Sequence, residues 1–268
     1  MADPTTLALE RNGGVLTIRL NRPEVRNAMS QAMLAELLAA LADAEATGAR
    51  IVVLRGAGGH FCAGADLRDM AAARMAPVGT TDPIATSNAA FGHVCAAYAR
   101  SPLAVVAVLE GSVMGGGFGL ACTADVALAS RDVDFRLPET SLGVIPAQIA
   151  PFLVERLGYG QAKRLGVTGA RFGADEAYRI GLVHRVCETA ADLDAALAET
   201  LRQILACAPG AVAETKALLR RARFEDAGAL VEHAAAVFAK AARGPEGTEG
   251  LAAFIEKRKP NWAEQGGG

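Results

Sequence analysis

VLTIRL at residues 15–20, SQAMLAELLAALADAEATG at 30–48 and IVVL at 51–54 decide the architecture. Val15-Leu16-Thr17-Ile18-Arg19-Leu20 alternates with a period of two, which predicts a strand closed by the turn Asn21-Arg22-Pro23. Ser30 stands as an N-cap before an apolar stripe of Met33, Leu34, Leu37, Leu38 and Leu41, so a helix follows and ends at Gly48. Ile51-Val52-Val53-Leu54 has no polar face, as expected of a short strand covered on both sides. Strand, helix, strand in this order points to a parallel sheet and an α/β fold.

Downstream of the loop 56–65, residues 70–83 are rich in Ala, Thr and Pro and predict a mobile loop. A helix is expected over 88–99, a buried strand over 103–109, then a Gly-rich turn and a short helix ending near Asp125. Further strands are expected at 126–129 and at 135–137, the latter turning at Pro138. From Ala150 the pattern is helical, with helices over 152–157, 161–165, 174–180, 193–206, 211–221, 227–242 and 248–257. Residues 1–200 therefore read as the α/β core and 201–268 as a helical extension, with no internal repeat.

Composition narrows the class. The 268 residues are 51% hydrophobic and 21% charged, a globular balance. With 27 basic and 29 acidic residues the formal charge is −2, which argues against an electrostatic nucleic-acid partner. The short basic clusters at 220–223 and 257–259 read as solvated helix ends. Cys62, Cys95, Cys122, Cys187 and Cys207 are odd in number, widely spaced and set among small apolar residues, so buried free thiols and a reducing compartment are expected. No CxxC or paired-His spacing accompanies them, and no metal site is predicted. The first residues lack a leader pattern, and the longest apolar run, 103–109, is too short to span a bilayer. A cytoplasmic protein without a membrane partner is expected. Trp262 carries no catalytic signal, and the Gly266-Gly267-Gly268 tail is expected to be disordered.

Three segments could carry chemistry. RGAGGHFCAGAD at 55–66 follows a buried strand and is dense in residues that let amides point outward; taken alone it also fits a tight strand-to-helix turn. A dinucleotide fingerprint fails because its third position is Phe61, and no Gly-Lys-Ser/Thr follows to make a phosphate loop. EGSVMGGGFGL at 110–120 opens a helix with glycines, which costs roughly 1 kcal/mol each relative to alanine. Close helix packing or close approach of a ligand would each explain them. Leu137-Pro138-Glu139-Thr140 places a carboxylate just after a strand, where a solvated turn is the simple reading. Taken together, two amide-rich loops and a carboxylate could hold a thioester enolate and move a proton.

These segments resemble the enoyl-CoA hydratase/isomerase (crotonase) superfamily across nearly the whole chain. The resemblance rests on Asn21-Arg22-Pro23 with Asn27-Ala28, FCAGADL at 61–67, GGGFGLA at 115–121, LPETSLGVIP at 137–146, GLV at 181–183 and AFIEKRKPNW at 253–262. It implies a crotonase-like spiral of ββα units with a C-terminal helical trimerisation region, assembled as a homotrimer or a dimer of trimers. It implies an oxyanion hole from the amides of Ala65 and Gly116, the latter at a helix N-terminus. Coenzyme A would enter as part of an acyl-CoA thioester substrate, with no separate cofactor. Arg22 and Arg26 would line its cleft, Ala63 would offer backbone to the adenine, and Arg68 would lie near the phosphates. Gly64, Asp66 and Gly115 would complete the lining. Phe238 and Lys257 match positions contributed by a neighbouring subunit.

One departure bears on the reaction. Members with two catalytic glutamates carry the first at the position of Gly119, leaving Glu139 alone here. Single-glutamate members include Δ3-Δ2 enoyl-CoA isomerases and hydratases of branched glutaconyl-CoA substrates, and the segments 115–130 and 137–158 look most like the latter. Ala147-Gln148-Ile149-Ala150-Pro151 replaces a glycine run of many relatives and should reshape the acyl pocket. The resemblance thus implies an enoyl-CoA hydratase, with a single-base isomerase or a non-catalytic acyl-CoA-binding protein as the alternatives.

Overall fold

A computed structural model of the chain describes residues 4–77 and 79–264. Strands β1 (Leu7–Asn12) and β2 (Val15–Leu20) form a hairpin, followed by helix α1 (Gln31–Ala46) and strand β3 (Ile51–Gly56). Ser30 Oγ accepts the Met33 amide at 3.2 Å, the N-cap bond its position predicts. The chain continues through α2 (Leu67–Met75), α3 (Pro83–Arg100), β4 (Ala104–Leu109), β5 (Ser112–Met114) and α4 (Gly116–Cys122). Next come β6 (Val126–Ser130), β7 (Asp134–Arg136), a 3-10 turn at Glu139–Leu142 and α5 (Ala150–Thr168). Strand β8 (Arg171–Phe172), α6 (Ala174–Arg179), β9 (Arg185–Cys187) and α7 (Ala190–Leu205) follow. The chain then runs through α8 (Pro209–Ala222), α9 (Ala227–Arg243), α10 (Pro245–Ile255) and α11 (Asn261–Glu264).

Two sheets result. A six-stranded sheet has the order β1-β2-β3-β4-β6-β9, parallel except for the β1–β2 hairpin. A three-stranded sheet has the order β5-β7-β8, with β5 parallel to β7. From β4 to β7 the chain alternates between the sheets, so each turn of the spiral adds one strand to both. The apolar strands are buried on both faces. Val52 and Leu54 of β3, with Val105, Ala107 and Leu109 of β4, join the large core beneath α1 and α3. Ile51, Val53, Val106 and Val108 join a second core against Leu193 and Ala196 of α7.

The expected elements need several corrections. Residues 70–83 contain the end of α2 and the start of α3, with Val78 outside the described residues. Pro83 begins α3 because a missing amide costs nothing at the first helical position, and Asp82 caps it with a 2.8 Å bond to the Ile84 amide. The two helices expected over 152–165 run within α5, which breaks its helical backbone at Gly158. The short strands β1, β5, β8 and β9 were not predicted, since two to six residues of mixed polarity carry little periodicity. The boundary at residue 200 falls inside α7, and the Gly266-Gly267-Gly268 tail lies outside the described residues. Among the described residues no helix is long and apolar enough to cross a membrane.

Cysteine burial is also corrected. Cys62, Cys95, Cys122 and Cys187 are buried, but Cys207, in the turn after α7, is exposed. Burial pushes the Cys62 and Cys122 thiols up to about 12 and leaves them unreactive. Titration of the native protein with a thiol reagent should show one fast thiol, lost in Cys207→Ser, with the other four reacting only on unfolding. Trp262 is structural: its Nε1 donates to Ala206 O at 3.1 Å, and Arg50 donates to Trp262 O at 2.7 Å.

Candidate active site

The register of the small sheet positions the site. β5 and β7 are parallel with Met114 opposite Arg136, so the residues that follow them emerge side by side. Gly115 donates its amide to Arg136 O at 3.0 Å, which fixes the turn into α4 beside the turn carrying Glu139. The loop after β3 joins the other edge of β5: Cys62 donates to Ser112 O and Met114 donates to Cys62 O, both at 2.9 Å. Residues 62–66 are thereby drawn against 114–116. A Cβ placed on Gly64 would stand 3.2 Å from Met114 O and 3.8 Å from Gly116 N.

In this loop every amide but one has a partner. The Ala63 N–H is given to Arg26 O at 2.9 Å, that of Gly64 to Cys62 Sγ at 3.4 Å, and that of Asp66 to Met29 O at 3.0 Å. Ala65 is left, exposed, with no acceptor among the described residues. Gly116 opens α4, where the first-turn amides have no intrahelical partner. Two amides without a partner therefore lie where residues 62–66 meet 114–116.

Glu139 lies across from them. A Cβ on Gly115 would stand 3.0 Å from Glu139 Oε1, and Gly115 itself adopts φ +48°, a region that favours glycine. Glu139 Oε2 is buried with no hydrogen-bond partner among the described residues. Burial pushes this carboxyl above the ordinary carboxylate range. A carboxyl so placed holds its proton more readily than a surface one, which suits a group that must both take and return a proton.

The remaining wall is apolar. A Cβ on Gly116 would meet Met29 Cε at 2.7 Å and Phe91 Cζ at 3.3 Å. A Cβ on Gly119 would overlap Ile149 Cγ2 and stand 2.7 Å from Ile149 Cβ. A model of the family described as enoyl-CoA hydratase/isomerase matches residues 10–265. The chain belongs to this family. An enoyl-CoA hydratase/isomerase structure from Marinobacter aquaeolei superposes with a TM-score of 0.94 at 51% identity, over 96% of this chain and 99% of that one. AtuE of Pseudomonas aeruginosa gives 0.93 at 53% identity, over 96% and 99%. A mevalonyl-coenzyme A hydratase of Aspergillus fumigatus, sidH, is 31% identical over 92% of this chain and 91% of that protein. The crotonase fold expected from the sequence motifs is thus the fold observed.

Around these turns most of the candidate residues lie close together. Arg22 and Asp66 pair with each other at 2.8 Å, both largely buried, and Arg22 also donates to Ala28 O at 2.7 Å. Burial works against the Asp66 charge, but the Arg68 amide and the Arg22 guanidinium hold its carboxyl below the ordinary range. Arg26 and Arg68 are exposed at the rim, and Arg26 takes the left-handed conformation at φ +49°. Phe238 on α9 and Lys257 after α10 are exposed on the helical extension, where α9 packs on α8 and α10. A cavity of about 440 Å³ beside Phe152, Arg156 and His184 shares none of these residues.

Several residues that shape the site were not singled out in the sequence. Phe91 and Met29 look like ordinary helix and core positions. Asn27 carried a signal in its motif but no assigned role. Fully buried at φ +59°, it donates to Ala57 O at 2.8 Å and His60 O at 2.7 Å and accepts the Arg22 amide at 2.9 Å. Asparagine tolerates this backbone conformation and here ties the 22–27 turn to the 57–60 loop. Asn27→Ala leaves buried groups unpaired and a strained φ, and should lower unfolding free energy by about 2–4 kcal/mol in urea melts.

Proposed function

We propose that this protein is an enoyl-CoA hydratase that adds water across the 2,3-double bond of an acyl-CoA thioester, with Glu139 as its one acid–base group. The observation that carries this reading is the half-buried Glu139 carboxyl, with an unpaired oxygen, facing the free amides of Ala65 and Gly116. The thioester oxygen would accept from both amides, each such donor being worth about 3–4 kcal/mol on the barrier. Glu139 takes a proton from water as the hydroxyl oxygen bonds C3 and the double-bond electrons move onto the thioester as an enolate. It then returns that proton to C2. Similarity to a protein named as a mevalonyl-coenzyme A hydratase supports hydration.

The remaining assignments belong to the same proposal. Arg22, Arg26, Ala63, Gly64, Asp66, Arg68 and Gly115 border the coenzyme A cleft, and Phe238 and Lys257 complete it from a neighbouring subunit of a trimer or a dimer of trimers. Residues 201–268 then serve as the oligomerisation region. A second reading, Δ3-Δ2 enoyl-CoA isomerase, is favoured by Ile149 filling the space beside Gly119. One carboxylate suffices to move a proton from C2 to C4.

Thioester-conjugation absorbance separates the two. Loss of conjugation with a 2-enoyl-CoA, 3-methylglutaconyl-CoA included, is the expected result; gain of conjugation from a 3-enoyl-CoA without hydration would establish the isomerase. A protein silent with both overturns the catalytic reading. The hydration rate should also fall on its acid side at a pH above the ordinary carboxylate range of about 4.3, because protonated Glu139 cannot accept a proton from water.

A further inference from the structure

Helix α2 buries none of its residues, so apolar burial does little to fix its first turn or Ala65 just before it. Polar contacts do. Segment 63–66 is bonded along one edge to residues 26–29: Ala63 donates to Arg26 O at 2.9 Å, Met29 to Gly64 O at 2.8 Å and Asp66 to Met29 O at 3.0 Å. Met29 and Ala65 thereby form a parallel bridge. In such a bridge one residue bonds both neighbours of its opposite number, whose own N–H and C=O point the other way. The Ala65 amide is thus directed away from Met29. On the other edge of the segment, Cys62 bonds β5, the strand that leads into Gly115 and Gly116.

One ion pair ties this bridge together. Asp66 is buried, and its carboxylate pairs with Arg22 Nη1 at 2.8 Å while accepting the Arg68 amide at 2.8 Å as the N-cap of α2. The same Nη1 donates to Ala28 O at 2.7 Å, so one guanidinium nitrogen joins the residue before Met29 to the residue after Ala65. Arg22 is itself fixed: its amide donates to Asn27 Oδ1 and its carbonyl accepts the Asn27 amide, both at 2.9 Å. A further tie lies one turn on, where Asp69 accepts the Gln31 amide at 2.7 Å. A buried ion pair contributes little net stability after desolvation, yet removing one partner strands the other as an unpaired charge. The contact therefore constrains where Asp66 sits.

We infer that Arg22 and Asp66 are positioning residues for the Ala65 amide, their ion pair holding residue 66 so that the preceding N–H stays where a thioester oxygen can accept it. The inference rests on the hydratase reading above, which gives that amide its role. Neither side chain need touch the reacting atoms. A donor displaced by about 1 Å can cost about 100-fold in rate. Asp66→Asn breaks the arrangement with almost no change of shape, because it sets an NH2 group opposite either Arg22 or the Arg68 amide.

The test reads the bound thioester directly. A 3-aryl-2-enoyl-CoA absorbs at longer wavelength when amides draw charge onto its thioester oxygen, so the red shift on binding to the full chain measures that hydrogen bonding. Wild type should show the shift. Asp66→Asn should lose most of it while binding the probe within about threefold of wild type. On the 2-enoyl-CoA that wild type hydrates fastest, its kcat should fall about 10- to 100-fold. Arg22→Met should lose the shift as well, and Arg22→Lys, which keeps a cation beside Asp66, should retain most of it. Working well below each thermal midpoint keeps unfolded chain out of the signal, and the two Arg22 variants carry the comparison if Asp66→Asn fails to fold. A full shift and full kcat in Asp66→Asn overturn the positioning role. Weakened binding with an unchanged shift in the bound state also overturns it and makes the pair a coenzyme A contact. A wild type that binds the probe without a shift overturns the part given to Ala65, and the positioning role with it. A wild type that shifts the probe but hydrates no enoyl-CoA overturns the hydratase reading alone.

Discussion

Glu139→Gln should lower turnover by about 10³-fold or more, within the span that general acid–base groups contribute, while coenzyme A binding persists. The substitution keeps the size and most of the shape of the side chain. It removes the carboxyl beside the turn into α4, whose Oε2 has no partner among the described residues. The same variant should be at least as stable as wild type at neutral pH. In the folded chain burial raises the Glu139 pKa above its unfolded value, so the folded state binds the proton more tightly. The stability tied to that proton is fully present below the unfolded pKa and is lost as pH rises through the folded pKa. At neutral pH the ionised, half-buried carboxylate opposes folding, and a neutral amide does not. The thermal midpoint of Glu139→Gln relative to wild type should therefore increase from acid toward neutral pH. Lost activity with unchanged or higher stability is the pattern of a functional group. Retention of most turnover would remove Glu139 from the reaction.

The second large effect is expected from Gly119→Glu, which installs a carboxylate where two-glutamate relatives carry one. Gly119 is buried in α4, and a Cβ there overlaps the Ile149 side chain, itself part of the core. Neither can retreat: Ile149 stands at the start of α5, and α4 is anchored by Gly115 at its own start. The single variant should lose more than about 3 kcal/mol of stability, overpacking adding to the burial of an ionisable group. Gly119→Glu combined with Ile149→Gly should recover part of it, because removing the Ile149 Cβ as well as its branches opens the space. Denaturant melts give the stabilities, and the conjugation assay shows whether the double variant hydrates faster than wild type. A Gly119→Glu protein as stable as wild type would mean that Ile149 does not govern this position.

Local signals accounted for much of what could be read in advance. The alternation in 15–20, the stripe from Met33 to Leu41 and the apolar run 51–54 each report the surroundings of a single element, and the structure places β2, α1 and β3 there. The order of the motifs around 61–67, 115–121 and 137–146 carried the family, because glycines and a carboxylate at those spacings serve one kind of backbone geometry. Other features arise between segments distant in the chain. The pairing of β5 with β7, which sets Gly115 beside Glu139, joins a strand legible at 135–137 to a three-residue strand too short to announce itself. That Ala65 alone of residues 63–66 keeps a free amide depends on acceptors at Met29, Arg26 and Cys62. The sequence shows Gly119 as an absent side chain, and packing shows Ile149 in its place. Periodicity and motif order are properties of neighbours along the chain and survive in one dimension. Which amide stays unpaired, which cavity is filled and which carboxyl is desolvated depend on what long-range contacts bring alongside, and those arise only when the chain closes on itself.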